Sequence, residues 1–159
     1  MILRILLCAL AVPTAQVLAQ PPRPNAVYVE AFGNSPIVSV NYERGLAANL
    51  GVRIGVGRFP NLDPGEDPEL YGFPIMVHYR IGRRILQPEF GIGVTMEYRD
   101  TRAITGEHDI DPVEVMPTAT LGVRFVPAGS PLLLRSGFTP VLSGGKVWPW
   151  IGASVGLTF

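Results

Sequence analysis

The sequence predicts an all-β fold: an eight-stranded antiparallel up-and-down transmembrane β-barrel that follows a cleaved signal peptide. Three observations lead there. Beyond residue 25, apolar side chains recur at every second position almost throughout, with no 3.6-residue period. The connections between these alternating segments are short at every even-numbered place, and two of the odd-numbered ones are long. The face opposite the apolar stripe mixes glycine with arginine and glutamate, and lysine occurs once, as Lys146.

The N-terminus comes first. "MILRILLCALAVPTAQVLAQ" carries Arg4 in a short positive region, an apolar run from Ile5 to Val12, and a small-residue cleavage site, Val17-Leu18-Ala19, that would cut before Gln20. The run is broken by Pro13, Thr14 and Gln16, well short of the roughly 18 residues of a spanning helix. The expected organisation is a signal peptide over 1–19, a Pro-rich leader over 20–25 and a barrel over 26–159. Cys8 falls inside the signal, so the exported chain holds no cysteine for disulfides, thiolate metal sites or nucleophilic catalysis. Thirteen Lys and Arg face thirteen Asp and Glu, so no basic field exists to attract nucleic acid.

Eight strands are expected at about 26–32, 37–44, 49–57, 71–81, 85–98, 113–126, 132–139 and 147–159. "YGFPIMVHYRI" is the clearest: Tyr71, Phe73, Ile75, Val77, Tyr79 and Ile81 share one face, and Gly72, Pro74, Met76, His78 and Arg80 the other. Most strands approach the roughly 9–11 residues needed to cross a bilayer at a tilt; the first, second and seventh are shorter. The connections run "GNSP", "GLAA", "RFPNLDPGEDPEL", "GR", "RDTRAITGEHDID", "PAGS" and "PVLSGGK". In an up-and-down barrel the even ones share one end, so the asymmetry matches short periplasmic turns and longer external loops. Pro74, Pro88 and Pro117 lie inside strands, where proline predicts a bulge or a local change of register.

The apolar stripe can face a dry core or lipid. A soluble barrel would expose a broad polar face rich in Lys, Glu, Thr and Ser. Here the polar stripe alternates glycine with large ions, which suits a lumen only wide enough for side chains to fill. The charged stripe is therefore placed inside as a structural network of Glu30, Glu43, Arg53, His78, Arg80, Glu89, Arg124 and Arg135. Glu97, Glu114, Asn41, Gln87, Thr118 and Thr120 join them. Buried ions need partners, and arginine's planar fork pairs with carboxylates in a way lysine cannot. Tyr71, Tyr79, Tyr98, Phe125, Phe138 and Phe159 face outward as an aromatic girdle.

The terminal "WIGASVGLTF", with apolar residues at alternate places up to Phe159, resembles the C-terminal strand of bacterial outer-membrane β-barrel proteins. Together with "YVEAFGNSPIVSVNYERGLAANLGVRIGVG" it makes nearly the whole exported chain look like the small eight-stranded outer-membrane barrel domains of Gram-negative bacteria. The resemblance implies an outer-membrane location, contact with outer-membrane lipid, and recognition of the last strand by the barrel-assembly machinery. It implies no enzymatic activity, since the family is defined by its wall pattern. The chain lacks the penultimate aromatic of some members.

No catalytic arrangement stands out. His78 is expected to be a paired lumen residue, and Ser136, Ser143 and Ser154 lack a G-x-S-x-G setting. Oxygen-rich clusters at Asp63, Glu66, Asp67 and Glu69, and at Glu107, Asp109 and Asp111 beside His108, are read as solvated loops without the spacing of a calcium loop. No cofactor or metal is expected. The leading reading is a non-enzymatic membrane anchor whose loops 58–70 and 99–111 meet a surface ligand that the sequence leaves unnamed. Two others compete: a soluble periplasmic barrel binding a small apolar ligand, and a lipid-modifying barrel enzyme using His78 or His108.

Overall fold

The computed structural model describes residues 24–35, 37–58, 69–82, 85–100 and 114–159. The expected signal peptide, residues 20–23 of the leader, His108, and the two long connections apart from their ends lie outside the described residues. Eight strands form: β1 (Asn25–Ala31), β2 (Val38–Gly45), β3 (Leu50–Arg58), β4 (Glu69–Arg80), β5 (Leu86–Asp100), β6 (Glu114–Phe125), β7 (Leu132–Ser143) and β8 (Lys146–Thr158). Each pairs antiparallel with its sequence neighbours, and β1 pairs with β8 to close the barrel. The termini share one end with the short β2–β3, β4–β5 and β6–β7 connections, here the turn end; the opposite end is the loop end.

Every ladder keeps a single register throughout, from Asn25↔Arg44 to Ala31↔Val38 in the first pair and from Leu132↔Leu157 to Ser143↔Lys146 in the last. The expected bulges at the strand prolines are absent. The reason lies in antiparallel geometry, where each residue directs its N–H toward one neighbouring strand only. A proline therefore deletes one rung on one side and leaves the register intact. Arg80 donates its N–H to Asn49 on the β3 side, so Pro74, of the same parity, also faces β3. There the pairing skips from Ile54↔Ile75 to Gly57↔Gly72, while Pro74↔Thr95 persists toward β5. Pro88 faces the end of β4, where its carbonyl accepts the Ile81 N–H and the ladder has already stopped.

Pro117 and Pro140 both turn toward the β6–β7 seam. Phe159 exchanges two backbone bonds with Asn25, so odd-numbered β8 residues, Pro149 included, face β1, and its partner Pro140 faces β6. The seam pairs at Thr118↔Val141, then resumes at Leu121↔Phe138. Side chains take the freed backbone groups. The Ala119 carbonyl, opposite Pro140, accepts Asn34 Nδ2 at 2.8 Å, and the Pro140 carbonyl accepts Thr118 Oγ1 at 3.0 Å.

Two connections depart from expectation. The sequence ends the seventh strand at 139 and gives "PVLSGGK" to a loop, but β7 continues to Ser143 and turns on Gly144 and Gly145, whose φ values are +57° and +74°. Two consecutive positive φ angles make the tight hairpin turn whose twist matches the strands it joins. The β1–β2 connection, which the sequence marks only as the turn "GNSP", bends inward. Phe32 and Ile37 hold φ of +53° and +56°, costly for non-glycine residues, and the chain between them drops Asn34 and Ser35 into the lumen.

Candidate functional site

Strand parity alone separates the two faces of the wall. Outward positions are apolar and open, as at Ile92 (71% exposed) and Leu121 (66%), while Arg53 and His78 on the inner face are 0% exposed. The outward apolar stripe therefore does not line the lumen, as it would in a barrel that held an apolar ligand against that stripe. Glu30, Glu43, Glu89, Arg124 and Arg135 are likewise buried, and Arg80 is partly covered near the turn end. Glu97 is half-buried. Glu114 has inner-face parity yet lies exposed at the loop end, where its carboxylate accepts the Ser143 hydroxyl at 2.9 Å.

The buried ions form two linked groups. At the turn end, Arg135 donates through Nε to Glu89 at 2.7 Å and through Nη2 to the same oxygen. Glu43 pairs with Arg124, lies 3.6 Å from Arg80 and 3.9 Å from Arg135. Toward the loop end, Arg53 reaches Glu30 at 3.3 Å, Asn34 Oδ1, and Met76 Sδ at 3.0 Å. Tyr28 joins the groups: its hydroxyl accepts from both Arg135 and Arg53, and its ring lies 4.7 Å beneath the Arg135 guanidinium. His78 packs among these residues, and neither ring nitrogen has a partner among the described residues.

Glycines make this density possible. A Cβ on Gly91 would fall 2.7 Å from His78 Nδ1, and one on Gly156 would fall 2.3 Å from Tyr28 Cβ. Alternating glycine with large polar side chains thus fills a bore that eight strands leave only side-chain wide.

Asn34 seals the loop end of the ionic region. Besides the Ala119 carbonyl it donates to Thr118 Oγ1 at 2.6 Å, accepts from Thr120 Oγ1 at 2.9 Å, and its backbone carbonyl takes the Thr95 hydroxyl. One loop residue thereby ties β3, β5 and β6 together across the lumen. Neither Tyr28 nor Asn34 was expected here. Tyr28 shares the parity of Glu30, a signal available in "AVYVEA", whereas nothing in "GNSP" announces a loop that folds inward.

The aromatics expected in a girdle are spread over three levels. Tyr71 and Tyr98 lie together at the loop end, ring centroids 6.5 Å apart. Tyr79 meets Phe90 at 5.4 Å at the turn end, where Phe125 and Phe159 also project. Phe138 pairs with Leu121 and Ile151 in the middle of the wall.

Comparison of the whole fold places these features. The N-terminal β-barrel domain of Pseudomonas aeruginosa OprF superposes with a TM-score of 0.61 at 11% identity, covering 85% of this chain and 95% of that one. The chain has the fold of the small outer-membrane barrels. Neisserial surface protein A matches with a TM-score of 0.55 at 16% identity, covering 85% of this chain and 93% of its own. The Yersinia pestis outer membrane protein Ail, solved in a phospholipid bilayer nanodisc, gives 0.54 at 9% identity, covering 85% and 98%. No family model and no curated protein matches the sequence.

Proposed function

We propose that the chain is a non-enzymatic outer-membrane barrel, held in the bilayer by its wall, closed by its packed ionic lumen, and presenting its loop end as an interaction surface. One observation carries the reading: the wall is apolar outside and ionic inside, the reverse of a water-soluble barrel. The fold shared with outer-membrane proteins supports the location. A catalytic role for His78 finds no support, because a fully covered imidazole walled in by strands cannot meet a substrate. On this reading the signal directs export, the long connections at 58–70 and 99–111 face outside, and β8 with Phe159 is the segment the barrel-assembly machinery reads.

The test is gel mobility of the detergent-refolded chain from residue 20 onward, with and without boiling. A closed barrel resists the detergent and migrates differently until heated. A chain that stays monodisperse in plain buffer, with no heat-dependent shift, overturns the proposal.

A further inference from the structure

The inner face changes character near the loop end. Over most of the lumen it is ionic, but above Asn34 it carries Met116, Val141, Trp148 and Trp150. These line a cleft of about 230 Å³ floored by Gly33 and Asn34, with Glu97 and Ser143 also in its lining. At the same level the β1–β8 ladder stops short among the described residues. The β1–β8 ladder runs from Ala26↔Thr158 only to Ala31↔Ala153, and Gly33 packs against Gly152 to close the next step. Beyond that, β8 residues 146–151 have no strand beside them on the β1 side among the described residues.

The rim of this gap is apolar. Phe32 stacks on Trp150 with ring centroids 6.5 Å apart, and Val147 and Ile151 stand exposed on the outer face. Apolar surface is therefore continuous from the lipid-facing side, across the stacked Phe32–Trp150 pair, to the Trp150 wall of the cleft. Its depth is set by β8: Trp150 lies nine positions before Phe159 (159 − 150), and a tilted strand crosses the hydrocarbon in roughly 9–11 residues. The gap thus opens at the far boundary of the hydrocarbon layer.

The edge itself discriminates between occupants. By the parity fixed at Phe159, it is Val147, Pro149 and Ile151 that direct backbone groups into the gap, and Pro149 has no N–H to offer. A pairing strand would find two donors over five residues, a poor template. The volume lies below the roughly 300–1,000 Å³ of ordinary small-molecule sites, leaving room for one alkyl segment.

We propose that this cleft takes a single alkyl chain of an outer-leaflet lipid, entering sideways between β8 and the end of β1. The inference rests on the outer-membrane reading above. Its test uses the two tryptophans, the only ones in the chain, both of which line the cleft. The refolded barrel in phospholipid nanodiscs is titrated with a lysophospholipid brominated near its chain end, and tryptophan fluorescence is followed. Occupancy gives quenching that saturates near one probe per barrel, is reversed by excess unbrominated lysophospholipid, and disappears when Val141→Phe fills the cleft. If Val141→Phe loses the heat-dependent gel shift, Met116→Phe serves instead. Quenching that rises linearly with probe and is unchanged in the filled variant overturns the cleft. The gel shift on the same preparation separates the failures: without a shift the membrane reading falls, and with a shift but linear quenching only the cleft does.

Discussion

At the turn end of the lumen, Glu43 and Glu89 gather Arg124, Arg80 and Arg135, whereas at the loop end Asn34 holds the barrel shut through an amide that bonds Thr118, Thr120 and the Ala119 carbonyl besides Arg53. The first arrangement crosslinks strands that are already continuous: the β2–β3, β4–β5 and β5–β6 ladders run without a break around Glu43 and Glu89. The second sits where the wall is weakest, beside the missing rungs of Pro117 and Pro140 and at the short strands β1 and β2, only 7 and 8 residues long. Ions supply strength where geometry is regular. An amide, which can donate and accept at once, supplies adaptability where backbone groups have been orphaned.

The largest expected effect comes from breaking the ionic end. Arg135→Met removes the guanidinium that donates twice to buried Glu89, takes one of three cations from Glu43, which keeps Arg124 and Arg80, and strips Tyr28 of a donor. Removing one partner of a buried pair typically costs about 3–5 kcal/mol. Urea unfolding of the refolded barrel in lipid vesicles measures it. Adding Glu89→Leu to Arg135→Met is expected to recover part of the loss, because the double variant no longer buries a bare carboxylate. A double variant weaker than the single one would mean that Arg135 acts mainly by packing.

A smaller loss is expected from severing the link between the ends. Tyr28→Phe keeps the ring beneath Arg135 but deletes the hydroxyl that accepts from Arg135 and Arg53. Leaving those donors unsatisfied costs about 1–3 kcal/mol. If the two ionic groups are coupled only through this hydroxyl, Arg53→Met and Arg135→Met become additive in the Tyr28→Phe background. Unchanged coupling energy in a double-mutant cycle would locate the link elsewhere.

The contrast between the ends also marks what the sequence could reveal. Period-two alternation placed Arg53, Glu89 and Arg124 on the inner face because a strand residue has only two faces to choose from, and register is fixed once one face is apolar. The same rule reached Tyr28 in principle, but reading aromatics as lipid-facing leaves it out. Loop residues obey no such parity. Asn34 enters the lumen through positive φ angles at Phe32 and Ile37, residues whose side chains give no hint of that conformation. The strand prolines misdirect for a related reason: sequence shows that an N–H is missing, whereas which neighbour loses it depends on pairing. The long β7–β8 hairpin was obscured in the same way, since Pro140 suggests a strand end and only its pairing with Pro149 shows that the ladder runs on.

The loop end yields the next effect. Asn34→Ala removes donors and acceptors to Thr118, Thr120, Arg53 and the Ala119 carbonyl, at an expected cost of about 1–3 kcal/mol. Opening the seal is also expected to raise proton leak through vesicles carrying the variant over those carrying the parent. Equal leak would place the permeability barrier deeper, at Arg53 and Tyr28.

The smallest effect is the most specific. Pro140→Ala restores the one N–H that faces Ala119 across the seam, yet the Ala119 carbonyl already has Asn34 as donor, so the single substitution is expected to shift stability by no more than about 0.5 kcal/mol. The information lies in the pair. With residue 140 able to donate, Asn34→Ala no longer orphans the carbonyl and should cost less by about 1 kcal/mol than in the parent, the worth of one hydrogen bond. An Asn34→Ala penalty that is identical in both backgrounds would show that the carbonyl is satisfied some other way. Asn34 would then be a plug for the lumen and not a replacement for the rung that proline removed.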